Sequence, residues 1–469
     1  MKFRISIACQ TDDREDEPSE LLVLVRDDLA METLGLTLAE SKDLLQELQS
    51  YVVERQAAVY LEQQRACAKC GRRYASKGQG QRTVNTVFGP TTVPNPRWYR
   101  CPCTLSNQPR TFRPMGQWLT GGSTPELIYM ETKWGSLIPY AQVADLLKDV
   151  LPVSPRLHRE TVRRHLHMTA GKLEQALGEE QDRLFTGSED DWSTQPLPDG
   201  PMTVGIDGGM IRARHKAGFF EVIAGKSVVA FRRDEEDEIP SAKRFGFVQT
   251  YDAKPRRRLW ELMKSQGMQE NQAVLFMSDG ADTVRNLQAY LHPSSEHILD
   301  WFHVTMRLAV MQQQTKALIA EDAAFGADMS HSLESAKHYL WHGNVEMALE
   351  GLEQLIFDLD LRRQHSPASA KLYRSVTEFD TYIRNNRDFI PNYGERYRQG
   401  DTITTSFVES TINQVVSKRF VKKQQMQWTP KGAHLLLQTR TKMLNDELDD
   451  AFREWHPKFR PKTVAPPTL

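Results

Sequence analysis

The run Ala273-Val274-Leu275-Phe276-Met277-Ser278 contains no charged residue, and it constrains the fold more than any other stretch of the chain. Six residues are too few for a buried helix. A strand that is apolar on both faces must be covered on both, as the central strands of parallel sheets are. Asp279-Gly280 follows directly. A second apolar run, Met202-Thr203-Val204-Gly205-Ile206, ends the same way, in Asp207-Gly208-Gly209.

Further strands are expected over 218–224, 244–251 and 296–300, with helices over 258–266 and 283–291. Three consecutive strands, then helix, strand, helix and strand, is the order of an RNase H-like α/β core. That core is interrupted after Asp300 by about 90 residues of helical pattern. Leu333, Ala336, Tyr339 and Leu340 mark one helix of this insertion, and Val345, Leu349, Leu352 and Ile356 another, with a turn at 341–344. Upstream, apolar residues at helical spacing predict helix from Glu20 to Glu62. Short Pro-broken strands follow around 83–100. Tyr140–Leu147 and Arg159–Leu166 read as a helix-turn-helix whose second helix enters the major groove. The alternative is a helical hairpin with a solvated basic face.

The expected organisation is multidomain α+β. It comprises a helical lead-in with a zinc-ribbon-like module (1–115), a helix-turn-helix domain (116–186) and a linker rich in Pro, Gly and acids (187–200). The first part of the core (201–310), the helical insertion (311–395), the catalytic helix with the C-terminal part of the core (396–445) and a tail (446–469) follow. At 469 residues the chain is long enough for several domains, on a prior of about 150 residues each. No apolar stretch approaches the roughly 20 residues of a membrane helix, and no secretion signal is evident, so a cytoplasmic location is expected.

The formal net charge is −1, so a nucleic-acid protein of this composition must concentrate its positive charge locally. Arg156, Arg159, Arg163, Arg164 and Lys172 form one cluster. Lys418, Arg419, Lys422, Lys423 and Lys431 form another. Of the five cysteines, Cys67-x-x-Cys70 and Cys101-x-Cys103 bracket the β-rich segment. Two close thiol pairs suit a structural tetrathiolate zinc site; a redox Cys-x-x-Cys and unliganded thiols are the alternatives.

Asp207 and Asp279 at strand ends, with Glu409 in an expected helix, could hold two divalent cations about 3.5–4 Å apart, as in-line phosphodiester chemistry requires. Glu409 has a second reading, because Ser406-x-x-Glu409 is a capping box. Oxygen ligands in an open cluster suit Mg²⁺ or Mn²⁺ better than zinc.

Gly205-Ile206-Asp207-Gly208-Gly209, Ser278-Asp279-Gly280-Ala281, Ile298-Leu299-Asp300-Trp301-Phe302-His303-Val304 and Ser406-Phe407-Val408-Glu409-Ser410 together resemble the DDE transposases of bacterial insertion sequences. The closest resemblance is to the ISKra group, relatives of the Mutator superfamily. Trp428-Thr429-Pro430-Lys431-Gly432-Ala433-His434 and the Cys-bracketed module are similar too. The resemblance covers most of the chain and implies a catalytic, metal-binding triad of Asp207, Asp279 and Glu409. Asp300-x-x-His303 matches a signature beside the family's active site. Asp300 therefore rivals Asp279 for the second carboxylate, and His303 would orient a phosphate or a carboxylate.

On this reading the substrates are double-stranded DNA, transposon end and target, cut and joined by a homodimer or larger assembly. Arg159, Arg163 and Arg164 would read bases; Asn413, Lys418, Arg419, Lys422 and Lys423 would contact phosphates. A metal-dependent nuclease or resolvase of the same fold, and a DNA-binding regulator with an inactive core, are the competing expectations.

Overall fold

The computed structural model describes residues 1–461 apart from 12–13, 16, 29, 105–108, 182–183, 185–193, 197, 199, 216–217, 230–241, 282–290, 292–294 and 421–425. The side chains of Thr11, Arg14, Glu15, Ser406, Phe407 and Glu409 are also outside the description. The chain divides into two compact units, Met1–Thr169 with Glu447–Leu469, and Ala170–Asp446.

The first unit opens with a hairpin, Lys2–Ile7 antiparallel to Ser19–Val25. The expected helix over that second segment is corrected to a strand. The apolar spacing of Leu21, Leu22, Leu24 and Val25 fits a helix, but the alternating Lys2-Phe3-Arg4-Ile5-Ser6-Ile7 offers it a strand to pair with. The helix that does form, Leu38–Gln63, starts at a capping box. Thr37 Oγ1 accepts from the Glu40 N–H at 3.2 Å, and Glu40 Oε2 from the Thr37 N–H at 2.9 Å.

Downstream, Gln81–Thr86 and Gly89–Pro94 form a second hairpin. Ser76–Gly78, Arg97–Tyr99 and Thr111–Phe112 form a three-stranded sheet. Three helices follow, Pro125–Leu137, Tyr140–Val150 and Arg159–Ala176, with Leu127, Val143, Leu147 and Val162 in their core. The connection at 151–158 is longer than the roughly three- or four-residue turn of a compact helix-turn-helix. The expected tail is in part structured: helix Leu448–Trp455 lays Phe452 against Tyr129, with ring centroids 5.3 Å apart.

In the second unit the strands are β1 (Met202–Arg212), β2 (Phe219–Val229), β3 (Ala242–Val248), β4 (Val274–Ser278) and β5 (Ser295–Leu299). They form one mixed sheet in the order β3-β2-β1-β4-β5. β1 is antiparallel to β2, and β2 to β3, whereas β1, β4 and β5 run parallel. All five residues of β4 are buried, as its composition requires.

On one face Met202, Val204, Ile206, Ile223, Phe245 and Phe247 pack with Leu259, Trp260 and Met263 of α1 (Pro255–Ser265). The other face carries Leu275, Met277 and Ile298. Most of the helix expected over 283–291 lies outside the described residues.

After β5 come α2 (Trp301–Glu321), α3 (Ala323–Trp341), α4 (Val345–Arg362) and α5 (Pro367–Asn385), built around Leu308, Leu333, Leu340, Leu352, Leu372 and Phe379. Helix starts directly after Asp300, which caps α2, so the boundary drawn at 310 between core and insertion falls inside α2. α6 (Ser406–Ile412) packs across β1 and β2, and α7 (Pro430–Leu444) against β3. Among the described residues no helix is long and apolar enough to cross a membrane.

Candidate active site and metal centre

Strand register brings the aspartates together. Gly205 pairs with Met277, and Met277 with Ile298. Two residues further along each strand direction stand Asp207, Asp279 and Asp300, level with one another: Asp279 and Asp300 directly follow β4 and β5, whereas Asp207, expected to end its strand, lies within β1, which continues to Arg212 because β2 pairs with it that far. The two-residue period of a strand puts them on the face that carries Leu275, Met277 and Ile298. α6 covers that face. A Cβ added to Gly209, two residues beyond Asp207, would lie 3.8 Å from Ile412 and 3.5 Å from Val416. Open α/β sheets bind ligands at such strand ends.

The three carboxylates have different surroundings. Asp207 is half-buried, and its Oδ1 accepts from the Gly208 N–H at 2.7 Å. Burial pushes its carboxyl above the ordinary range, and the charges of Asp279 and Asp300 add to this. The Gly208 N–H and His303 oppose it. Asp279 Oδ1 accepts from the Ala281 N–H at 3.0 Å, leaving Oδ2 without a bond among the described residues. Gly280 follows at φ +82°, and a Cβ there would meet Asn386 Oδ1 at 2.5 Å, so only glycine fits.

Asp300 is fully buried. Its Oδ1 accepts from the Phe302 N–H at 2.9 Å, which caps α2, and from the Thr405 N–H at 3.1 Å. Its Oδ2 accepts from the Thr405 hydroxyl and lies 3.6 Å from His303 Nε2. Asp300 therefore joins the start of the insertion to the segment entering α6, with both oxygens engaged. This geometry favours Asp279 over Asp300 as the second open carboxylate.

Glu409 lies within α6, and its side chain is outside the described residues. The capping-box alternative concerns the side chains of Ser406 and Glu409 and so lies outside the described residues too. A further acid near these aspartates, Glu221 on β2, was missed by sequence reasoning; it pairs with Met210 and so stands on the opposite face of the sheet from Asp207. Its Oε1 lies 2.8 Å from where a Cβ of Gly208 would be. Burial, then the charges of Asp279 and Asp207, raise its carboxyl above the ordinary range. The available signal was a lone carboxylate inside Phe219-Phe220-Glu221-Val222-Ile223. The charges of Asp279 and Asp300 add to the burial that raises the Asp207 carboxyl, and a bound cation would relieve both, so the donor set fits a hard divalent metal.

The expected DNA contacts divide. Arg159, Arg163 and Arg164 are exposed on one helix, Arg163 paired with Glu160 at 2.8 Å. The neighbouring His165 is buried, its Nδ1 2.6 Å from the fully buried Glu131, which ties this helix to Pro125–Leu137. Asn413 and Lys418 are exposed. Arg419 is a correction to the expected phosphate contacts: it is buried, with its guanidinium 5.3 Å from the Trp428 ring centroid. A cation–π contact in the interior leaves no surface for a phosphate. Lys422 and Lys423 lie outside the described residues.

In the first unit Cys67, Cys70, Cys101 and Cys103 converge, with all four sulfurs within 4.8 Å of one another. Cys70–Cys101 and Cys67–Cys103 are 3.4 and 3.6 Å apart, too far for disulfides. Four sulfurs at about 2.3 Å from a tetrahedral zinc stand roughly 3.8 Å apart, so the cluster could hold such an ion. Backbone N–H groups of Lys69 and Cys70 pull the Cys67 thiol down to about 6, while hydrogen bonds to Cys101 and Cys70 push the Cys103 thiol up to about 12, a crowding of sulfurs that a bound cation would relieve. The redox alternative is weakened, because it needs one reactive pair and explains no second one.

Glu174, Asp252 and His434 also converge. Arg258 lies among them, its guanidinium 3.0 Å from Glu174 and 2.8 Å from Asp252. His434 Nδ1 accepts from the Val248 N–H at 3.4 Å, so its Nε2 carries the proton and faces Glu174 at 3.4 Å. Arg258 thus pairs with both carboxylates, while the three side chains stand close enough that they could also hold a metal ion. No family model matches the chain, and no curated protein does.

Proposed function

We propose that the protein is a DDE transposase with an RNase H-like core, which binds the ends of an insertion sequence, hydrolyses DNA there and joins the freed 3′ end to target DNA. The observation that carries this reading is the level placement of Asp207 and Asp279 on adjacent parallel strands, on the face crossed by the helix of Glu409. Mg²⁺ or Mn²⁺ held by these three carboxylates would activate the attacking oxygen and stabilise the leaving one.

Asp207 and Asp279 provide the rigid half of the site, since one lies within β1 and the other directly follows the buried β4. Asp300 holds His303 beside them and fixes the approach to α6. Water attacks the phosphodiester at the element end first, releasing a 3′-OH. That hydroxyl then attacks a target phosphodiester, and the target's own 3′ oxygen leaves. No covalent protein–DNA bond is formed.

Exposed Arg159, Arg163 and Arg164 support end recognition by the first unit, and synapsis of two ends calls for a homodimer or more in the cytoplasm. A strand-transfer assay with the DNA flanking the gene and Mg²⁺ tests the reading. Joined products lost in Asp207→Asn, Asp279→Asn and Glu409→Gln, with DNA binding retained, are expected. Cleavage without joining would favour a nuclease, and binding without either a regulator.

A further inference from the structure

We propose that Arg307, laid over the ring of Tyr382, is a binding site for a DNA backbone phosphate at the margin of the carboxylate site. The inference rests on the transposase reading and adds a residue that neither the motifs nor the metal chemistry requires. Arg307 lies on α2 one turn after His303, on the same helix face, and is exposed. Its guanidinium carbon is 4.2 Å from the Tyr382 ring centroid. No carboxylate pairs with it among the described residues.

Tyr382 belongs to α5 of the insertion, and its hydroxyl donates to the backbone carbonyl of Asp279 at 2.9 Å. The next turn places Asn386 against Gly280. A chain of contacts thus runs from the guanidinium through the phenol ring to the residue carrying the open carboxylate. It sets the cation in register with that carboxylate.

Electrostatics gives the cation its purpose. A DNA backbone approaching Asp207 and Asp279 meets two carboxylates, with the buried Asp300 behind them. A metal offsets their charge at the centre, but the flanking phosphates need a fixed positive group beside it. A guanidinium presents paired donors in a plane that match phosphate oxygens, and stacking on an aromatic ring restricts its rotamers before DNA arrives. The exposed donor edge of Arg307 suits this task. Arg419, buried under Trp428, does not.

The test uses the full-length protein and a random-sequence duplex, because a phosphate contact is blind to sequence. Arg307→Gln is expected to weaken binding about tenfold and to lower the slope of log affinity against log salt by about 0.9, one phosphate contact. Arg307→Lys should restore the slope without the full affinity, having the charge but not the planar fork. An Arg307→Gln slope equal to wild type overturns the inference. Full recovery by lysine overturns the stacked-guanidinium geometry. Wild type that binds DNA but never cuts it with Mg²⁺ or Mn²⁺ overturns the transposase reading instead, so the two failures are distinguishable.

Discussion

Replacing Asp300 separates a structural carboxylate from a metal-binding one. In Asp300→Ala the cap of α2 is lost, which costs about 1 kcal/mol. The Thr405 N–H and hydroxyl, both buried, lose their acceptor as well. Each unsatisfied buried donor costs about 1–3 kcal/mol, the hydroxyl less because it can turn to another partner. The sum is roughly 3–5 kcal/mol, a large part of the roughly 5–15 kcal/mol that holds a typical domain folded. Asparagine keeps an oxygen for the Phe302 and Thr405 N–H groups, and its amide can donate to the Thr405 hydroxyl. Asp300→Asn should therefore cost only about 1 kcal/mol. Urea titrations followed by tryptophan fluorescence suit this pair, since Trp301 adjoins the perturbed cap and lies 5.1 Å from the Trp341 ring. Asp300→Asn should also retain Mg²⁺-dependent cleavage where Asp279→Asn does not. The argument is refuted if alanine is as stable as wild type. It is equally refuted if asparagine leaves stability intact and abolishes cleavage, because Asp300 would then be a metal ligand.

Metal analysis should find one zinc per chain, lost in Cys67→Ser or Cys101→Ser together with the structure of the small sheet around Trp98; zinc-free protein with four titratable thiols would contradict this. Substituting Arg159, Arg163 and Arg164 together should erase the preference for element ends over random DNA, whereas Lys418→Gln should weaken both alike, as binding titrations at several salt concentrations would show. Mg²⁺ affinity, measured by calorimetry, should begin to fall at a higher pH than an ordinary aspartate would dictate. The Asp207 carboxyl sits above the usual range, so protons compete with the metal as pH falls through that raised value. Asp207→Asn should remove this segment of the profile, and an unchanged profile would exclude Asp207 from the metal.

Features that depend on composition over a few residues were legible in the chain alone. β4 could be nothing but a central strand, because no other element of its length buries two apolar faces. The aspartates that follow the two apolar runs, the two cysteine pairs and the exposed arginine helix were visible for the same local reason, although β1 runs on past Asp207. Tertiary contacts decided the rest. Ser19–Val25 became a strand because Lys2–Ile7 pairs with it, a partner that apolar spacing cannot reveal. Asp279 and Asp300 look alike in sequence, each ending a strand. Only the position of Thr405, a hundred residues beyond Asp300, occupies one and leaves the other open. Arg419 and Lys418 are adjacent basic residues, yet one is drawn beneath Trp428 and the other faces solvent. Antiparallel pairing of β2 with β1 puts Glu221 opposite Met210, on the face away from Asp207, and Tyr382 reaches Asp279 from the far end of the insertion. A charged side chain takes its role from the partners that folding brings to it, and those partners are distant in the chain.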